Sequence, residues 1–386
     1  MIYHLFLVLA IFAIGDFLGV LTKARLSSVF VIMLLFLVGF MTGFLPPDII
    51  EQAGLKDIAK WTTGFLVFHM GTMVNLQQLA KEWKTVVTSI ISMILAVVAG
   101  FIVMPFIGRE SAIVSIPILN GGIVATQIMT ASALEKGFTM AAAMGALVYA
   151  IQKFAGTPFA SYFGKKEAEK IVADFRANKL NPATNNTENL EVKKITFYDK
   201  HKKYYGAFTN LGITALFVWI SSIIGKATGI SLSIWSLLLG ATVSSLGIVP
   251  SRIMDEAKAT GLLNMAAFAS IIPSLAQISV EDLGNLLVDN IVLFVAILAI
   301  LFVAFYLLPL WKIIGSKNLA LGVSVAQLLG FPATYLISNE IALAVAENDE
   351  EKEAILDAIT PKYVVAGLAT VTTLSILMAG VFEGLL

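Results

Sequence analysis

The chain contains no cysteine. That excludes a disulfide framework, a thiolate nucleophile and any cysteine-held metal. Charge is scarce as well: Asp, Glu, Lys and Arg supply 13% of the residues, about half the share usual in soluble domains. The three histidines, His4, His69 and His201, stand apart from one another and outside any His-Glu-x-x-His pattern. With no paired intramembrane aspartates either, neither zinc nor aspartyl intramembrane proteolysis has the residues it needs. No cofactor and no nucleic-acid partner are expected.

What fills the chain is hydrocarbon. Hydrophobic residues make up 58%, and the missing charges leave long uncharged runs. Runs of about 20 apolar residues are what a bilayer core selects. Ten spans are predicted, near 2–22, 27–45, 61–79, 85–107, 138–162, 206–225, 231–249, 259–278, 287–309 and 363–385. This is the pattern of an all-α polytopic membrane protein and not of a β-barrel, whose strands are about ten residues long and alternate. The first run lacks a basic start and a small-x-small cleavage site and carries Asp16, so it reads as a span and not as a signal peptide.

Two apolar segments are broken. Pro117–Thr130 reads PILNGGIVATQIMT and Leu328–Glu340 reads LLGFPATYLISNE. Each follows a long apolar run that ends at a proline, Pro105 or Pro309. Sliding the chain by 204 residues brings Pro105 onto Pro309 and Leu79 onto Leu283. The predicted organisation is a repeat at 1–163 with a re-entrant segment near 111–135, a polar linker at 164–205, and a second repeat at 206–386 with a re-entrant segment near 318–346. Five full spans per repeat make the two repeats inverted in the membrane, a recurrent transporter plan with the site at the repeat interface.

Lysine and arginine set the orientation. With the linker cytoplasmic and both termini outside, 20 of the 26 basic residues fall inside and five outside, with Lys153 inside a span. The expected location is the plasma membrane. Spans 27–45 and 231–249 carry almost no polar groups, which suits a scaffold that forms a homodimer among membrane lipids.

Breaks at membrane depth survive only where protein or a water-filled cavity covers them. They leave helix-end amides free for a carboxylate and carbonyls free for a hard cation. The candidate substrate-binding residues are Asn120, Gly121, Gly122, Thr126, Gln127, Lys153, Gly330, Phe331, Pro332, Thr334 and Tyr335. Oxygen-bearing Thr130, Ser338, Asn339 and Glu340 are the candidate ligands of a coupling ion, with sodium expected. Lys153 lies about 15 Å from its helix end. An ammonium at that depth is a site candidate, for a substrate carboxylate or for Glu340. His69 and Asp16 read as helix-packing residues, as do Asn75, Asn264 and Gln277.

SIPILNGGIVATQIMTASALEKG and the span after it resemble the glycine-rich hairpin of the sodium/glutamate symporter (ESS) family. QLLGFPATYLISNEIALAVAE resembles that family's second hairpin, and GFLVFHMGTMVNLQQL its third span. Gly121-Gly122-Ile123-Val124-Ala125 stands where the family has Gly-Gly-His-Gly-Thr, and Glu340 at a position uncharged there. The resemblance implies a cation-coupled carrier of a small organic anion, such as an amino acid or a di- or hydroxycarboxylate. The alternatives are a cation/proton antiporter of related fold and, more remotely, an intramembrane enzyme or a channel.

Overall fold

In the computed structural model, which describes residues 1–21, 28–74, 76–177, 196–276, 278–330 and 333–386, every regular element among the described residues is helical. The first half runs α1 (Ile2–Leu21), α2 (Ser28–Met41), a single turn α3 (Ile49–Gln52), α4 (Lys56–Thr72) and a short α5 (Leu76–Lys81). It continues with α6 (Trp83–Ile107), α7 (Arg109–Leu119), α8 (Ile123–Glu135) and α9 (Thr139–Arg176). After α10 (Phe197–His201) come α11 (Ala207–Thr228), α12 (Leu232–Ser245), a single turn α13 (Ile253–Glu256) and α14 (Thr260–Ile271). Then follow α15 (Val280–Phe302), α16 (Lys317–Val325), α17 (Ala333–Val345), α18 (Asp349–Leu368) and α19 (Ser375–Phe382). A π-helical turn, Ala369–Leu374, joins the last two.

The order of elements recurs, and part of it recurs in register. α2 and α12 lie 204 residues apart at both ends, as do α3 and α13. The physical signature is a left-handed glycine after the helix, Gly43 at φ 71° and Gly247 at φ 69°. A buried apolar residue follows (Leu45 or Val249), then a proline and a turn that buries Ile49 and Ile50 or Ile253 and Met254. Left-handed backbone recurs once more at Gly54 and Lys258.

Each of the ten predicted spans falls on a helix, yet among the described residues three helices are both long and apolar enough to cross a membrane. They are α6, α11 and α15 with its continuation to Leu307. α2 and α12 are apolar but have 14 residues each, about 21 Å against a hydrocarbon core of about 30 Å. The cause is local: the left-handed glycines turn the chain before the helix is long enough. α9 departs the other way, running 38 residues and carrying the first stretch of the expected linker as helix to Arg176.

Polar groups on the apolar helices are mostly satisfied within their own helix. Thr88, Ser89 and Ser92 of α6 each donate to the carbonyl four residues earlier, at 2.8–2.9 Å. Burial is dense on α7, α8 and α16, and Ile116, Ile118, Leu119 and Met129 of the first two are fully enclosed. α9 admits them with a small-residue face: a Cβ on Gly145 would lie 2.7 Å from both Ile118 and Val114.

Candidate functional site

The helices of the first broken segment pack together as a hairpin, those of the second run out and back against α9 and α18, and the two hairpins point toward each other. α7 and α8 open at the end where Lys136 Nζ donates to the Glu383 carbonyl and Arg109 to the Leu385 carbonyl. α16 and α17 open at the other end, where Ser316 donates to Glu167 and Arg176 pairs with Glu347 and Glu351. α9 and the continuous α18–α19 rod therefore run antiparallel, tied at both ends.

The hairpin tips meet this pair at neighbouring levels. Gln152 of α9 donates to the Gly121 carbonyl at 3.3 Å. A Cβ on Gly156, one turn further, would lie 3.0–3.1 Å from Leu328 and Leu329 at the second tip. On the other rod a Cβ on Gly367 would fall 2.5 Å from Thr334 Oγ1 and 3.2 Å from the Gly330 carbonyl carbon. A Cβ on Gly121 would fall 2.7 Å from Ser375 Cβ. The π-helical turn lies between Gly367 and Ser375, so it sits at the level where the tips converge. Such turns arise where an α-helix gives up regular hydrogen bonding, frequently at functional sites.

The two breaks are made differently. Gly330 adopts φ 68°, a conformation only glycine holds without strain. Gly121 is needed for closeness instead, since any side chain would strike Ser375 and Ala125. At each break one helix ends and another begins, so partial negative and partial positive charge face the same small volume.

Buried oxygens around the tips lack partners among the described residues. Asn120 donates to the Ile116 carbonyl at 2.9 Å and Gln127 to the Ala59 carbonyl at 3.1 Å, yet Oδ1 of the first and Oε1 of the second accept nothing. Gln152 Oε1, Gln327 Oε1 and Thr334 Oγ1 are in the same condition. Leaving such groups buried and unpaired costs about 1–3 kcal/mol each. A concentration of them is a place where a cation or a polar solute would be rewarded.

A cavity of about 1030 Å³ leads toward this point from the Lys136 end. Gln127 lies on its wall with Thr63, Ser132, Ser231, Ser233 and Ser270. Its lip has mixed charge, with Lys56, Lys60 and Lys226 beside Glu135 and Glu383. Gln127 stands about 12 Å along α8 from the lip residue Glu135, which leaves about one and a half turns to the break.

No protein-family model matches the chain, and no curated protein matches it.

Of the sequence-predicted residues, Asn120, Gly121 and Gly122 lie at the first tip and Gly330 and Thr334 at the second, about one turn of α9 apart. Thr126 is buried on α8 and bonds back to Gly122 O at 3.1 Å. Gln127 faces the cavity, whereas Tyr335 is exposed on α17. Phe331 and Pro332 lie outside the described residues, as do Asn75, Gln277 and residues 178–195 of the linker.

The predicted ion ligands do not converge. Thr130 sits on α8 against Gly145, bonded back to the Thr126 carbonyl. Ser338, Asn339 and Glu340 sit on α17, where Ser338 and Asn339 both donate to the Tyr335 carbonyl. α8 and α17 leave the crossing in opposite directions, so four residues that look alike in sequence belong to two ends of the molecule. Glu340 is exposed, and neither it nor Lys153 forms an ion pair among the described residues. The expected Lys153–Glu340 pair is absent: Glu340 is exposed, about 10 Å along α17 from Ala333 at the tip.

Residues without a signal in the sequence also line the tips. Gln152, Gly156, Gly367 and Ser375 are ordinary-looking positions in long helices, and only their contacts with the tips single them out. Asp289, half-buried nine residues into α15 beside Asn290, carried a readable signal as an acid within an apolar run. His69 is a packing residue as expected: Met254 N–H donates to its Nδ1 at 3.3 Å.

Proposed function

We propose that the chain is a cation-coupled secondary transporter of a small organic anion, with the solute and a sodium ion bound where the two hairpin tips meet. The observation that carries this reading is that two helix breaks lie beside one set of buried unpaired oxygens, with an open cavity that stops about one and a half turns of α8 short of them. Two hairpins entering from opposite ends fit an inverted repeat, with the hairpins, α9 and α18–α19 as the moving core. α1, α2, α11 and α12 would form the scaffold and the dimer contact. Helix N-termini of α8 and α17 suit a carboxylate, and Lys153 of α9 supplies a cation one residue from Gln152. Unpaired amide and hydroxyl oxygens, with the carbonyls of the breaks, suit sodium. The likeness to sodium/glutamate symporters points to the same solute class. An antiporter would require carboxylates at the crossing, and the half-buried Asp289 lies along α15 near Met144, about 12 Å from the level of Gln152.

The test is thermal stabilisation of the detergent-purified protein by amino acids, dicarboxylates and hydroxycarboxylates, with and without sodium. Uptake into proteoliposomes driven by a sodium gradient follows for whichever solute stabilises. Stabilisation that requires both sodium and one anion class is expected. Cation exchange with no solute dependence would establish the antiporter instead.

A further inference from the structure

Away from the crossing, an apolar groove of about 750 Å³ runs between α9 and α15. Pro158, Phe159 and Phe163 form one wall, and Val295, Leu298 and Phe302 the other. From Val295 to Phe302 the groove is about 10 Å long. Its polar surface is almost nil along that length, so water gains little by filling it.

One end of the groove is different. Phe302 stacks on Tyr306 at 4.9 Å, and Phe163 lies 5.7 Å from the same ring. Beyond them stand two ammonium groups. Lys317 Nζ lies 5.5 Å from the centre of the Tyr306 ring and 5.6 Å from that of Trp311. Lys166 Nζ lies 4.6 Å from the Tyr162 ring, and Tyr306 is within its electrostatic reach. Two acids are close by: Glu169 acts on Lys166, and Glu167 accepts the Ser316 hydroxyl. Neither acid forms an ion pair with Lys166 or Lys317. An apolar slot capped by aromatic rings and two cations matches a molecule with a hydrocarbon chain and an anionic head. Aromatic and basic side chains of this kind are what anchors protein to the headgroup level of a bilayer.

We propose that the α9–α15 groove binds one anionic phospholipid, with an acyl chain along Phe159, Leu298 and Phe302 and the phosphate held by Lys166 and Lys317. The inference rests on the chain being a membrane protein but not on its transporting anything. A lipid seated there would brace α9, the helix that carries Gln152 and Gly156, against α15.

The experiment measures lipid adducts on the intact detergent-purified chain by native mass spectrometry, with phosphatidylglycerol, phosphatidylcholine and inorganic phosphate as separate probes. Each lysine near a headgroup is worth roughly a five-fold preference for an anionic lipid, and the pair roughly 25-fold. Wild-type protein should hold one phosphatidylglycerol roughly 25-fold more tightly than phosphatidylcholine, and phosphate alone should give no adduct. Lys166→Gln with Lys317→Gln, both at the surface, should abolish the preference while leaving weak binding of either lipid. Ala299→Trp, which fills the groove, should remove both adducts. Equal affinity for the two lipids, an unchanged preference in the double lysine variant, phosphate binding without lipid, or a dimer that covers the groove would each overturn the proposal. Alkaline extraction of cell membranes tests the premise separately. A chain released by alkali removes the membrane reading itself, whereas a retained chain without the lipid preference removes only this site.

Discussion

Gly71 of α4 and Gly240 of α12 lie against each other's backbone. A Cβ on Gly71 would fall 2.4 Å from the Leu237 carbonyl oxygen, and one on Gly240 would fall 2.4 Å from that of Phe68. Around them α4 is bonded to α12 and to the turn α13: Ser244 Oγ donates to the Thr72 carbonyl at 3.0 Å, and Ile253 N–H donates to Thr72 Oγ1 at 3.3 Å. At their other ends the same helices border the large cavity, at Thr63 and Ser233. A Cβ on Gly64 would still lie 3.3 Å from Leu232 at that end, so the pair stays in contact along its length. Because backbone cannot rotate aside, Gly71→Ala or Gly240→Ala should cost about 1–3 kcal/mol and lower the melting temperature in detergent. Unchanged melting of both variants would show that the helices do not meet as described.

The absence of cysteine gives a clean test of which way the cavity opens. Ala131→Cys and Thr63→Cys each place the sole thiol on the cavity wall at a half-buried position. Both should react with a membrane-impermeant maleimide from the outside of intact cells, while Ser338→Cys, at a buried position on α17, should not. Labelling of the wall positions only in inside-out vesicles would reverse the orientation.

At the crossing, glycine is required for two different reasons, and the variants should separate them. Gly330→Ala forces a side chain into the left-handed region, at about 1–2 kcal/mol. Gly121→Val drives a side chain into Ser375 and Ala125, which also closes the volume between the tips. Both variants should reach the membrane at wild-type levels. Uptake should be abolished in Gly121→Val and reduced in Gly330→Ala, and full transport by Gly121→Val would place the site elsewhere.

Lys153 is half-buried and forms no hydrogen bond or ion pair with any described residue. An ammonium so placed destabilises a fold unless a ligand answers it. Lys153→Met should therefore leave stability unchanged or raise it, while weakening the response to an anionic solute at least ten-fold. Loss of stability with unchanged solute affinity would make the residue structural.

The tie between α9 and α18 should titrate in acid. Arg176 meets Glu351 through two bonds of 2.6 and 3.0 Å and Glu347 through one of 3.0 Å. The Arg176 guanidinium, with the Glu347 backbone amide, holds the Glu351 carboxyl down from its ordinary 4.5 to about 2. A carboxyl depressed in the folded state stabilises fully above its unfolded pKa and loses that contribution as pH falls toward its folded pKa. The melting temperature should accordingly drop between pH 4.5 and about 2. Glu351→Gln should melt lower at neutral pH and show a shallower drop across that window. Parallel curves for the two proteins would mean that the pair contributes nothing.

The helical class and the position of every long apolar helix were legible in the chain, because hydropathy alone marks α6, α11 and α15. Both breaks were legible too, since Asn120-Gly121-Gly122 and Gly330 interrupt apolar runs where backbone needs cover. Lengths were not. α2 and α12 stop short at Gly43 and Gly247, and the repeat in Leu45–Ile50 and Val249–Met254 is hard to see by identity because it preserves backbone shape more than residue type. The ion-ligand set failed for a related reason: side-chain chemistry shows what an oxygen can bind but not which oxygens share a volume.

By itself the sequence determined that this protein is a bundle of apolar helices with two interruptions carrying amides and hydroxyls. Composition and local turn chemistry act within a few residues, and that is the range over which they can be read. Only the tertiary structure decided that the interruptions face each other, that Gln152 and Ser375 complete the place where they meet, and that Glu340 does not. Those facts depend on close approach between α9 and the α18–α19 rod, segments separated by about 200 residues of chain, and close approach is set by which small residues happen to face which backbone.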